Sequence, residues 1–77
     1  MFRNVYEFYY HFEQDNKSAY PVALHPGMRR ILATHFDDAY KLFLKNIKPY
    51  FDAVTNPSKN PRIEIVSAIR VTEKVEV

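Results

Sequence analysis

The sequence predicts an α+β domain in which one long helix covers one face of a three-stranded antiparallel sheet. Three observations predict it. Residues 2–13 alternate with a nearly all-aromatic face, residues 26–54 carry apolar side chains at steps of three and four, and residues 62–77 alternate again with β-branched side chains. The order strand, strand, helix, strand makes the third strand antiparallel to the first if the two are neighbours. The spatial order is then 2-1-3, with the aromatic strand central.

In the first strand Phe2, Tyr6, Phe8, Tyr10 and Phe12 fall on one side, and Arg3, Val5, Glu7, Tyr9, His11 and Glu13 on the other. A surface that aromatic needs a lid, and the helix is the segment able to supply one. Gln14, Asp15, Asn16, Lys17 and Ser18 form a turn cluster. Residues 19–25 then read as a second, shorter strand with Tyr20, Val22 and Leu24 alternating inward. Pro21 lacks a ladder donor, which places that strand at the sheet edge.

The helix is expected over residues 26–54. Met28, Leu32, Phe36, Ala39, Phe43 and Ile47 recur at helical spacing, and Pro26 suits a first turn. His35 lies toward the apolar side. Arg29 and Arg30 then fall near the positive end of the helix dipole, where acids are preferred. That arrangement is either a small electrostatic cost or the start of an anion site. Pro49 is expected to kink or break the helix and to open a last short piece ending at Val54. The apolar arc spans roughly 200°, about twice what packing on one core requires, with Tyr40 and Leu44 on its shoulder.

Residues 55–61 are a loop by composition. In the third strand Ile63, Ile65, Ile69, Val71, Val75 and Val77 share the core side, while Val66, Ala68 and Arg70 face away. A bend or bulge is expected near Ser67, or fraying after Thr72.

Composition narrows the function classes. The 77 residues make one domain near the size at which a single core suffices, and no cysteine is available for a staple. The absence of cysteine favours a reducing compartment. No apolar run reaches the ~20 residues of a membrane span, and no leader pattern is visible, so a cytoplasmic protein is expected. The net charge of +2 is a weak basic bias with both signs interspersed. Gly27 is the sole glycine, which excludes a glycine-rich phosphate loop, and no nucleophile motif is present. His25, His35 and Asp38 could be drawn together as metal ligands, but they lack any ligand-motif spacing; no metal, cofactor or enzymatic activity is expected.

Two binding roles remain. The favoured one is a protein-interaction module that modulates or inhibits a protein partner and self-associates as a homodimer. Its contacts would come from Tyr40, Leu44, Phe51, Val66 and Ala68, together with the β-branched edge of the third strand. The alternative is a weak single-stranded nucleic-acid binder. It would use Tyr9, Arg29, Arg30, Arg62, Arg70 and Lys74, against the repulsion of Glu7, Glu13, Glu64 and Glu76 on the same sheet face.

Overall fold

A computed structural model describes residues 2–16 and 20–76, without the side chains of residues 2 and 72–76. Lys17, Ser18 and Ala19 of the expected turn and second strand lie outside the described residues, as does Val77 of the third. The elements are β1 (Phe2–Gln14), β2 (Val22–Ala33), α1 (Phe36–Val54), a 3-10 turn (Pro57–Lys59) and β3 (Arg62–Glu76). They form a three-stranded sheet in the order β2-β1-β3 with both pairings antiparallel, as the sequence predicts.

The core is the aromatic side of β1 under the helix. Tyr6, Phe8, Tyr10 and Phe12 are buried together with Ala39, Phe43 and Ile47 of α1 and with Ile31 and Ala33 of β2. The rings of Phe8 and Phe43 stack with centroids 4.8 Å apart, and Phe51 meets Phe12 edge-on at 5.1 Å. Such pairs add about 0.5–1.5 kcal/mol each beyond the area they bury.

The helix begins ten residues later than the periodicity implies. Residues 26–33 belong to β2, where Gly27, Arg29 and Ile31 pair with Tyr10, Phe8 and Tyr6. A period of four and an alternation coexist in this stretch, and pairing decides between them: β1 needs a partner along its length to satisfy its backbone. The proline expected in a helical turn, Pro26, instead sits at a bulge. Tyr10 pairs with Gly27 and Phe12 with Leu24, so His11 is opposed by both His25 and Pro26. His25 adopts a left-handed φ of 52° there. An edge strand tolerates this proline because its missing donor interrupts only one ladder.

Gly27 is required by contact rather than by backbone conformation. A Cβ at this position would lie 2.6 Å from the Tyr10 hydroxyl and 2.9 Å from Cζ of the same ring. The true helix start agrees with the dipole: Asp37 and Asp38 occupy the first turn, and the exposed His35 is the N-cap residue. Contrary to the expected break, α1 runs through Pro49 as one helix. It ends where Thr55 donates its N–H and its hydroxyl to the Phe51 carbonyl at 3.1 and 2.6 Å.

β3 is bulged repeatedly against β1. The register steps between Tyr9 and Tyr10, leaving Val66 over, then between Val5 and Tyr6, leaving Val71 over, and again between Arg3 and Val5. The bulge expected near Ser67 is therefore present, and it reverses the facing of the residues beyond it. Ala68 turns inward opposite Phe8 and packs against the core, while Ile69 turns outward opposite Glu7.

Candidate protein-interaction surface

The side of the sheet away from α1 carries the odd-numbered residues of β1. No described element packs over it. Val5 pairs with Leu32, Tyr9 with Met28 and Ser67, and Glu7 with Arg30 and Ile69. Leu32, Ile69 and Tyr9 are all exposed, which places apolar side chains from all three strands on one uncovered surface.

A charge sits in the middle of this surface, and its chemistry is settled within the chain. Tyr9 donates its hydroxyl to Glu7 Oε1 at 2.7 Å, and Arg30 Nε donates to Oε2 at 2.7 Å. The Glu7 side chain is only 8% exposed although it lies on the open face, because its two partners shield it while Arg30 itself remains 65% exposed. The tyrosine hydrogen bond, with the Arg30 hydrogen bond and charge, holds the Glu7 carboxyl below its usual range. The same carboxylate pushes the Tyr9 phenol upward by accepting its proton in a hydrogen bond. Glu7 thus stays ionised and Tyr9 neutral around pH 7, with the carboxylate compensated without outside help.

Of the five residues proposed for partner contact, the structure leaves two at the surface. Val66 is 67% exposed on its bulge and Tyr40 is 39% exposed on the helix shoulder. Leu44, Phe51 and Ala68 are partly buried and pack against the core. Leu24 of β2 and Ile63 and Ile65 of β3 pack partly buried against the same cluster.

The nucleic-acid candidates do not assemble on one face. Tyr9, Arg30 and Arg62 lie on the open side, opposite Met28, Glu7 and Glu13 respectively. Arg62 is bound to Asp15 at 3.0 Å and lies 3.6 Å from Glu13. Arg29 pairs opposite Phe8 on the helix side, with its guanidinium 5.7 Å from the Tyr10 ring centroid and 5.9 Å from that of Tyr50. Arg70 pairs with Tyr6, also on the helix side. The side chain of Lys74 lies outside the described residues. Because the helix does not start at residue 26, neither reading of Arg29 and Arg30 as helix-start residues applies, and the anion-site alternative has no helix N-terminus behind it.

His25 and His35 are separated by most of α1. His25 Nδ1 is 3.4 Å from the Tyr50 hydroxyl, whereas His35 caps the other end, roughly 20 Å away at 1.5 Å per residue. Asp38 therefore has no His25 within reach. Among the described residues no helix is long and apolar enough to cross a membrane.

The residues that sequence reasoning misses are Met28, Leu32 and Ile69. The helical period absorbs the first two, and an unbulged strand places the third inward. No protein-family model matches the chain, and no curated protein or solved structure matches it significantly.

Proposed function

We propose that the chain is a small non-enzymatic protein-interaction module that binds and modulates a protein partner and also associates with itself. The observation that carries this reading is the uncovered sheet face, where Leu32, Tyr9 and Ile69 are exposed beside a carboxylate that is ion-paired to Arg30 and hydrogen-bonded by Tyr9. Desolvating an unpaired charge would oppose docking; pairing within the chain lowers that cost for Glu7, while the exposed Arg30 guanidinium keeps access to water at the rim of the pair. Val66 is exposed on its bulge in β3, and Tyr40 is exposed in the helix layer on the other side of the sheet. A chain without cysteine suits work in the reducing cytoplasm.

Edge pairing by β3 is the weaker form of contact. Its register shifts break the row of outward backbone groups that an added strand would need, and bulges are a common protection of sheet edges.

Affinity capture from native lysate, using the chain and its Leu32→Glu variant, tests the reading. A protein recovered in stoichiometric amount by the parent chain and lost with the variant supports it. Equal recovery by both, with both folded by circular dichroism, rejects the open face as the contact surface. Binding to a single-stranded oligonucleotide that weakens steeply with salt would instead favour the nucleic-acid role.

A further inference from the structure

We infer that a second copy of this chain covers the open sheet face, packed face to face with its strands running antiparallel to those of the first. This rests on the interaction reading above and names the partner at the same surface.

Area is the first argument. The shortest strand, β2, has 12 residues. At about 3.3 Å per residue and a strand spacing of about 4.8 Å, the three-stranded face has a flat footprint of roughly 570 Å². A standard stable interface buries about 800 Å² of accessible surface per partner, a quantity larger than the flat footprint it covers, so a second copy is of the size needed to close the first. Two such sheets stack as a sandwich with their strands within about 30° of alignment.

Charge fixes the orientation. Arg3 is exposed at one end of the face. At the other end Glu13, Asp15 and Glu64 lie around the guanidinium of Arg62, with His11 3.0 Å from Glu13, an excess of carboxylates among the described residues. A two-fold axis lying between the sheets and perpendicular to the strands brings the Arg3 end of each copy over the acidic end of the other. An axis parallel to the strands would set Arg3 over Arg3 and carboxylates over carboxylates. Only the first arrangement joins unlike ends, and it does so twice because the interface is isologous.

The centre fits the same arrangement. Val5, Leu32, Met28 and Ile69 surround Glu7, which brings its own two hydrogen-bond donors and needs none from the partner.

Sedimentation equilibrium on the intact chain across a wide concentration range tests the inference. The expected result is a reversible dimer whose dissociation constant rises by at least about tenfold in Leu32→Glu and in Ile69→Lys. Both positions are exposed in one copy, so either variant serves if the other fails to fold. Leu42→Glu, on the exposed helix surface, should leave the dimer unchanged. Arg3→Glu and Glu64→Lys should each weaken it, and the double variant should regain affinity. A monomer at all concentrations, a dimer indifferent to both face variants, or charge reversals that accumulate instead of cancelling would overturn it. If the chain is monomeric while Leu32→Glu still loses a foreign partner, the interaction reading stands and the dimer alone is rejected.

Discussion

At the scale of the residue, two positions show how local chemistry sets global behaviour. Gly27 lies opposite Tyr10, and the tyrosine ring occupies the volume a side chain would need. Tyr10 cannot easily retreat, because Phe12 and Phe43 hold it at 5.4 and 5.7 Å and Arg29 lies over its ring. Gly27→Ala is therefore expected to lose about 1–3 kcal/mol by overpacking, read as a lower urea midpoint; an unchanged midpoint would show that the ring has room to move. Glu7 governs the acid side. Its carboxyl is held below the usual value of 4.5 by Tyr9 and Arg30, so its contribution is present above that value and is lost as pH falls through the lower folded-state pKa. Glu7→Gln should thus be less stable than the parent near neutrality, and the difference should shrink on acidification below about pH 4.5. Urea titrations at several pH values measure this, and a difference independent of pH would remove Glu7 from the acid response. Tyr9 has the opposite sign: its phenol is raised, so its contribution is present below the usual value of 10.0 and is lost as pH rises through the folded-state pKa.

At the scale of the element, the sequence is most legible where a single period is present and least legible where two coincide. The aromatic alternation of β1 identifies its buried face residue by residue, and that face determines strand order and helix placement. Residues 26–33 carry both a helical and a strand period, and a pairing partner elsewhere in the chain decides which one forms. The local signal that agrees with the outcome is electrostatic. Arg29 and Arg30 are poorly placed for a helix start, and Asp37 and Asp38 are well placed in the first turn of a helix that starts at Phe36, ten residues beyond the expected boundary at Pro26. In β3 each bulge turns the residues beyond it to the other face. A simple alternation therefore reads Ile63 and Ile65 correctly and misplaces Ala68 and Ile69. Pro49 is a further instance, since packing carries α1 through a residue that should stop it. The proline leaves the Lys45 carbonyl without its helical donor, on a surface position. Pro49→Ala should stabilise the domain by about 2 kcal/mol, the helix-propensity gain less the entropy that proline removes from the unfolded chain. A rise in the thermal midpoint checks it, and a fall would mean that the proline ring makes contacts the helix depends on.

At the scale of the whole molecule, the shape is extended for its length. The radius of gyration is 14.4 Å, against about 11.5 Å for a compact chain of this size. The cause lies in the lengths of the elements: β3 has 15 residues and α1 has 19, so at about 3.3 and 1.5 Å per residue the sheet outruns its lid by roughly 20 Å. A long, thin, two-layer unit with one bare face has two ways to hide more surface, by stacking sheets or by lengthening the sheet at an edge. Hydrogen exchange separates them. Each amide of central β1 is bonded within its own chain or faces a neighbour on either side, so β1 should be the slowest-exchanging strand in any assembly. The outward amides of β3 differ between the two assemblies. Stacking leaves the edge open, so these amides should exchange quickly even at concentrations where the dimer dominates. Edge pairing would bond them to another chain and slow them as concentration rises. Fast β3 exchange beside a concentration-dependent dimer mass is the expected outcome, and protection of β3 that grows with dimer population would place the contact at the edge and reject the stacked arrangement.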